Sequence, residues 1–220
     1  MRVNIANLGI IQPMSTRTST MHGSPSQDQV DIIEKLVQSA KKGDPLSFGK
    51  LYDLFYTKIF RYVAYKVGNR EDAEDITAEV FIRMLKSINS FSFQGHPFSS
   101  WLFRIAKNMV VDYFRKNSRR KTAPLETAGS IQETESLEID YQLDLDIEMS
   151  NISESIKTLT DLQQEVISLR FAGGLSIKET ASAVGRKENA VKALQHSAIK
   201  KLRLLVDMKN SNNLDNKTKL

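Results

Sequence analysis

Residues 159–203 decide the fold and read LTDLQQEVISLRFAGGLSIKETASAVGRKENAVKALQHSAIKKLR. Thr160 with Gln163, and Ser176 with Glu179, form two capping-box signatures, and each signature predicts the start of a helix. Glycines follow both predicted helices, as is usual at helix C-termini. The segment is therefore predicted to hold three helices, with a short glycine-containing turn between the last two.

The third of these helices, predicted over about residues 188–206, has two different faces. At 100° per residue, one face is apolar and predicted to be buried: Val191, Leu194, Ala198, Leu202 and Leu205. The opposite face is polar and cationic: Asn189, Lys192, Ala193, His196, Lys200 and Arg203. A short helix, a turn and a longer basic helix are the parts of a DNA-reading helix-turn-helix. An ordinary three-helix bundle with a solvated face is the alternative, and the pattern alone leaves it open.

Four further amphipathic segments in residues 28–121 predict one compact helical bundle. Asp44 and Pro45 have the positions of an N-cap and a first helical residue. The second segment has the apolar stripe Leu51, Leu54, Phe55, Ile59 and Val63. The third, predicted over 71–88, has Ala73, Ile76, Val80, Phe81, Met84, Leu85 and Ile88. With no strand pattern anywhere, the fold class is predicted to be all-α, with two helical domains.

An acidic linker, residues 122–156, is predicted between the two domains, because this segment contains nine acidic residues and no basic one. The whole chain carries +5 and this segment −9, so the remainder carries +14. Two basic bodies joined by an acidic strip indicate polyanion binding by the bodies and a different task for the strip. Composition alone leaves open that the strip is only a solvated linker. The remaining divisions are a disordered arm over 1–27, domains over 28–121 and 157–206, and a polar tail over 207–220. Met14 and Met21 are alternatives to Met1 as the start.

Composition excludes several classes of protein. The chain has no cysteine, so disulfides and thiolate metal sites are excluded. No apolar run approaches the roughly 20 residues of a membrane helix, and no secretory signal is evident, which together predict a cytoplasmic protein. Three scattered histidines, with no phosphate-binding glycine loop, argue against a metal-dependent nuclease or another enzyme. We therefore expect no metal, no cofactor and no catalytic residue.

The fourth predicted helix, over about residues 98–119, has a strongly basic end. Five cations fall within seven residues there: Arg115, Lys116, Arg119, Arg120 and Lys121. A helix C-terminus needs only one or two cations, so a phosphate-binding patch is the better interpretation. Phe91 and Phe93 lie in the preceding loop, residues 89–97. Most of the aromatic residues in this region are expected to be core, but one or two loop rings beside a cationic groove could instead stack unpaired bases.

Acidic residues crowd the start of the third predicted helix: Glu71, Asp72, Glu74, Asp75 and Glu79. Interaction with the helix dipole is the default interpretation. A metal site is less favoured, because these acids lie along one helix with no converging ligands elsewhere. A docking face for a basic partner remains a third interpretation.

Three stretches resemble the extracytoplasmic-function class of bacterial sigma factors. EDAEDITAEVF (71–81) is similar to that family's polymerase-docking helix, and PFSSWLFRIAKNMVVDYFRKNSRR (97–120) to its promoter-melting helix. Residues 159–203 resemble its −35-reading domain. The resemblance implies an alternative sigma factor that binds core RNA polymerase through the clamp helices of the largest subunit and the flap. It also implies binding to promoter DNA in double- and single-stranded form, and it leaves an anti-sigma protein open as a further partner.

The resemblance also implies roles for particular residues. Asp75 and Glu79 would contact the clamp helices. Phe91, Phe93 and Asn108 would form a pocket for a base flipped from the −10 element. Backbone phosphates would be held by Arg115, Lys116, Arg119 and Arg120. The −35 element would be read by the polar face of the last helix.

The chain departs from the family pattern in ways that bear on these roles. Ala78 stands where the docking helix usually has Gln, Leu194 and Ser197 where the reading helix usually has arginines, and Lys187 where a Ser or Thr cap is usual. Polymerase docking is thus better supported than any particular promoter sequence. A stand-alone helix-turn-helix regulator is the alternative function, but it leaves the N-terminal basic and aromatic module without a task.

Overall fold

The computed structural model of the chain describes residues 26–122 and 156–217, with side chains for 26–118 and 156–205. Every regular element in these stretches is helical, which confirms the predicted all-α class. Most of the predicted N-terminal arm and of the acidic linker lies outside the described residues.

Seven α-helices make up the described stretches. The N-terminal module contains α1 (Gln27–Lys41), α2 (Pro45–Val67), α3 (Arg70–Ser87), a 3-10 turn (Ile88–Ser90) and α4 (Phe98–Thr122). The C-terminal module contains α5 (Asp161–Ile167), which continues as a π-helical turn (Ser168–Ala172), then α6 (Ile177–Val184) and α7 (Glu188–Lys217).

The predicted helix starts are confirmed by hydrogen bonds. Thr160 and Ser176 each cap a helix in a reciprocal capping box with the Gln or Glu three residues later. Asp44 accepts hydrogen bonds from the backbone N–H groups of the first turn of α2. Gly185 ends α6 with φ +66°, a left-handed conformation that glycine adopts without the steric cost of a Cβ. The helix-turn-helix geometry therefore rests on local sequence signals.

Helix α7 is longer than the sequence pattern predicts. A polar tail was expected after residue 206, yet the helix continues to Lys217. Neither glycine nor proline occurs after Gly185, so the sequence contains no strong signal to stop the helix. Low apolar content after 206 is thus a poor guide to where this helix ends.

The core of the N-terminal module lies between its four helices, and its largest wholly buried side chains are Tyr62, Phe98, Phe103, Leu51, Ile59 and Met84. Two predicted stripe residues are not buried, since Leu54 is 47% exposed and Leu85 is 56% exposed. Each lies about 100° around its helix from the middle of the buried side, at the edge of the apolar stripe. Periodicity therefore predicts which side of each helix is buried, but not how far around the helix the buried side extends.

The two modules pack against each other in this structure. Leu169 and Leu175 of the C-terminal module belong to the same buried cluster as the core of the N-terminal module. Gly173 lies against the ring of Phe103, where an added Cβ would come within 2.6 Å of Cε1. The first part of α4 is thereby covered by the turn region and α6.

Candidate nucleic-acid interface

The exposed face of α7 is the clearest candidate site. Three residues of its predicted inward face are buried: Val191, Ala198 and Leu202, while Leu194 and Leu205 are half-buried. All six residues predicted on the opposite face are exposed: Asn189, Lys192, Ala193, His196, Lys200 and Arg203. One side of the helix thus offers an amide, an imidazole and three cations, which can donate to base edges and phosphates.

A cleft of about 550 Å³ runs beside this face. Its lining combines cations with apolar residues: Ile177, Lys192, Gln195, His196, Ile199, Lys200, Arg203 and Leu204. The sequence pattern did not mark Ile177, Ile199 or Leu204 as part of the site. These three side chains add apolar surface to the cleft, next to its cationic residues.

A buried arginine fixes α7 to the preceding turn. The Nε of Arg170 donates to Oε1 of Gln195 at 3.0 Å, and its Nη1 donates to the carbonyl of Leu175. Burial lowers the pKa of Arg170, and the nearby carboxylate of Glu179 opposes that effect. Sequence reasoning missed this residue, although an arginine inside the apolar run of 166–171 was a visible signal.

The acidic start of α3 separates into paired and unpaired carboxylates. Asp72 accepts a hydrogen bond from the hydroxyl of Tyr113 at 2.7 Å, and Glu74 pairs with Arg70 at 2.9 Å. Asp75 is exposed and Glu79 is half-buried, and within the described side chains neither forms an ion pair. These two carboxylates are free to meet cations from another molecule.

The loop aromatics are mostly committed to the core. Phe91 is only 4% exposed and contacts the rings of Phe93, Phe98 and Trp101 at 4.7–5.3 Å between centroids. Phe93 is half-buried, so of the two loop rings it is the one with a free portion. Asn108 is exposed on α4, about 15 Å along the helix axis from Phe98. Phe91 and Phe93 contact each other just before α4, and Asn108 is exposed on that helix, about three turns from its start.

The basic end of α4 is partly described. Arg115 is exposed and pairs with Asp112 at 3.1 Å, and Lys116 is exposed. Arg119 and Arg120 lie in the last turns of α4, but their side chains fall outside the described residues.

No group of three or more metal-ligating side chains occurs in the part of the chain that is described. Across the same residues, no helix is both long and apolar enough to span a membrane.

Comparison with known proteins identifies the family. The model of Sigma-70 region 2 matches residues 51–120, and that of Sigma-70, region 4 matches residues 155–204. The chain is 36% identical over 190 residues to BldN of Streptomyces coelicolor, an ECF RNA polymerase sigma factor, covering 84% of this chain and 71% of BldN. The chain belongs to the extracytoplasmic-function family of RNA polymerase sigma factors. Sequence resemblance predicted this family, and the comparisons confirm it.

Other relatives agree with this assignment. SigW of Bacillus subtilis is 33% identical to this sigma factor, covering 78% of the chain and 95% of SigW. Among solved structures, CnrH in complex with the cytosolic domain of CnrY has a TM-score of 0.60 at 23% identity, covering 81% of this chain and 99% of that one. RpoE of Bartonella quintana, solved with the anti-sigma factor NepR, has a TM-score of 0.52 at 21% identity, covering 73% and 96%. These two structures support the fold.

The sigma factor therefore directs RNA polymerase to promoters as an alternative initiation factor. A stand-alone helix-turn-helix regulator is not supported, because the match to region 2 covers the N-terminal module that such a regulator would leave unused. The match to region 4 covers the helix-turn-helix of α6 and α7. Both modules therefore belong to one sigma factor, as its region 2 and its region 4.

Sequence reasoning did not find the contacts between the modules. Glu165 of α5 is 6% exposed, and its carboxylate accepts a hydrogen bond from Tyr62 at 3.0 Å and pairs with Lys66 at 2.8 Å. Burial and this carboxylate together raise the pKa of Tyr62, so its hydroxyl stays protonated and donates. A glutamate directly before Val166 and Ile167 was a sequence signal that a buried partner exists.

Proposed function

We propose that this sigma factor reads the −35 element with the exposed face of α7. The observation that carries this proposal is the exposure of all six polar-face residues opposite a buried apolar stripe. Major-groove reading requires side chains that reach base edges from a helix anchored on its other side. Lys200 and Arg203 follow His196 along the same face and suit phosphate contacts.

We further propose that α3 docks on the polymerase clamp helices and that α4 works at the −10 element. Asp75 and Glu79 are the docking carboxylates, supported by their lack of ion pairs within the described residues. Arg115, Lys116, Arg119 and Arg120 hold phosphates. Asn108 and Phe93 contact a flipped base, with Phe91 supporting Phe93 from the core.

In this proposal the sigma factor has no catalytic activity of its own and acts in the cytoplasm. Its two domains extend over 28–121 and 157–206. An anti-sigma protein stays a prediction of the family resemblance. RpoE is described in complex with the anti-sigma factor NepR, and CnrH in complex with the cytosolic domain of CnrY. Transcription by purified core polymerase on a promoter library, with and without the protein, tests the proposal as a whole. Selective transcription that needs the protein is expected, and identical transcripts in both reactions would contradict it.

Substitutions on α7 test the reading face. We expect Lys192→Ala and His196→Ala to weaken the dependence of transcription on the −35 sequence. Lys192→Ala should also lower the salt dependence of binding by about one phosphate equivalent. Lys201→Ala is a matched control, because Lys201 lies opposite Lys192 on the helix and donates to the carbonyl of Thr158. Unchanged promoter preference in both test variants would move the reading face elsewhere.

A substitution on α4 tests strand opening. Asn108→Ala is expected to leave closed-complex formation nearly intact and to reduce open complex. Flipping a base out of the duplex costs a few kcal/mol of stacking and pairing energy, which contacts in the pocket must offset. The amide of Asn108 can both donate and accept hydrogen bonds to the edge of the flipped base, and alanine cannot. Permanganate footprinting on promoters varied at each −10 position measures the effect. A loss at one base position supports the assignment, and a uniform loss or no loss contradicts it.

A further inference from the structure

The cleft beside α7 holds apolar surface as well as positive charge. Ile177 and Ile199 are half-buried in its lining, and Leu204 is 56% exposed. Three exposed cations that form no ion pair within the described side chains line the same cleft: Lys192, Lys200 and Arg203. A phosphate backbone would use the cations but offers nothing to the apolar groups. The lining is therefore matched best by a ligand that has both acidic and apolar side chains.

The acidic linker of this chain contains a segment of that composition. Residues 137–149 read LEIDYQLDLDIEM, in which apolar and polar residues alternate without exception. Five of the six polar residues are acidic, and none is basic. In an extended chain this alternation places the apolar side chains on one side and the carboxylates on the other. The first part of the linker, 122–136, has three acidic residues but no such alternation.

The spacing of the charges fits as well. Four polar residues recur about once per turn along α7 and line the cleft: Lys192, His196, Lys200 and Arg203. One turn advances about 5.4 Å, whereas every second residue of an extended chain advances about 6.7 Å. Lysine and arginine can lay their stems along apolar side chains while their charged ends extend to a partner, so they can follow this small mismatch. An extended acidic segment laid along α7 can thus pair its carboxylates in series.

The linker ends close to this cleft. At Ile156 the chain enters the described part of the C-terminal module, and Ile156 packs against the buried cluster that contains Ala198 and Leu202 of α7. Ile199, which lines the cleft, packs against the same cluster. The seven residues 150–156 can span about 23–25 Å, whereas a helix with its side chains is about 10–12 Å wide. Residues 137–149 can therefore reach the cleft of their own molecule, at an effective concentration on the order of mM.

We propose that residues 137–149 dock in the cleft beside α7 and compete there with DNA. The competition rests on the proposed function, because Lys192, His196 and Arg203 belong to the proposed reading face. Apolar side chains of the segment lie against Ile177 and Ile199, and its carboxylates pair with the cations. An occupied cleft lowers the affinity of the sigma factor for any duplex.

A spin label in the segment tests the docking. Gln142→Cys introduces the only cysteine of the chain, and a nitroxide attached there broadens the NMR signals of nearby amides. Compared with the same sample after reduction of the label, we expect amides of 192–204 to lose most of their intensity and those of α1 to keep theirs. Mixing an isotope-labelled natural chain with a spin-labelled chain that carries no isotope should give no broadening. Broadening in that mixture would instead assign the cleft to the segment of a second copy.

Charge variants in the spin-labelled chain show whether the acidic residues hold the segment. Neutralising three acids of the segment should restore the α7 signals: Asp144→Asn, Asp146→Asn and Glu148→Gln. The matched control makes the same change of charge in 122–136 and should leave the broadening unchanged: Glu126→Gln, Glu133→Gln and Glu135→Gln. No selective broadening of α7 in the spin-labelled chain, or equal loss of broadening in both triple variants, would overturn the docking.

A charge exchange guards against a variant that has merely lost its fold. Lys200→Glu with Arg203→Glu should also abolish the broadening, because the cleft then repels the segment. Adding Asp144→Lys and Asp146→Lys restores opposite charges and should recover most of it, which a misfolded chain could not do. Failure to recover, in a chain whose other signals are unchanged, would contradict pairing between the segment and the cleft.

Random-sequence duplex DNA separates this proposal from the proposed function. Added to the spin-labelled chain, the DNA should restore the α7 signals, because the segment and the duplex share the cleft. Without the label, the variant neutralised at 144, 146 and 148 should bind this DNA several-fold more tightly than the control variant. Equal affinities would contradict the competition. Broadening of α7 that saturating DNA leaves unchanged would keep the docking and overturn the proposed reading face.

Discussion

Asp75→Arg combined with Glu79→Arg is expected to abolish binding to core polymerase while the fold survives. Both carboxylates lack ion pairs within the described residues, so reversing their charge breaks no internal pair. Surface substitutions away from packed features usually change stability by less than about 0.5 kcal/mol, although half-buried Glu79 can cost somewhat more. A basic partner surface would instead meet two repelling cations. Co-purification with core polymerase, together with a thermal melt of the variant, measures both parts.

Asp31→Arg with Glu34→Arg is the matched control, because it makes the same change of net charge at two exposed positions of α1. We expect this variant to bind polymerase as the natural chain does. Normal transcription by the α3 variant would show that the docking surface lies elsewhere. Loss of binding in both variants would mean that overall charge, rather than the α3 carboxylates, governs the interaction.

Phe103→Ala is expected to lower the free energy of unfolding by about 3–5 kcal/mol, the usual cost of removing a buried phenyl ring. Phe103 is 1% exposed and meets Tyr62 edge-to-face at 5.4 Å between ring centroids. Since domains are stable by only about 5–15 kcal/mol, this loss takes a large share of the total. Urea denaturation followed by circular dichroism measures it.

Phe114→Ala controls for the chemical change, because Phe114 lies on the same helix but is 46% exposed. We expect it to cost less than about 1 kcal/mol, including its ring contact with Tyr113. Equal losses in the two variants would contradict the burial pattern of α4.

The elements that the sequence predicted well are those with local signals. Asp44, Thr160 and Ser176 each name a helix start, because a capping hydrogen bond depends only on residues two or three positions away. The exposed face of α7 also followed from periodicity, since Val191 and Ala198 fix which side is buried. Such features need no knowledge of the rest of the fold.

The features that the sequence did not predict depend on distant partners. From the sequence, Phe91 could belong to the core or stack a base, and its ring contacts with Phe98 and Trp101 show that it belongs to the core. The burial and pairing of Glu165 could not be predicted from the sequence, because its partners Tyr62 and Lys66 lie about a hundred residues earlier. A one-dimensional pattern shows that a residue is apolar or charged, but only the packing decides what it meets.

The close fit of Gly173 to Phe103 has a consequence for recombination between sigma factors. An added Cβ at 173 would come 2.6 Å from the ring of Phe103 and 2.9 Å from the carbonyl oxygen of Leu169. A side chain at this position is therefore excluded both by the N-terminal module and by the π-helical turn that precedes Gly173. A hybrid that joins this N-terminal module to a foreign C-terminal one can pack as this chain does only if the foreign module also has glycine at this position. Without it, either the ring of Phe103 or the turn at 168–172 would have to shift, and the two modules of the hybrid would not pack as they do here.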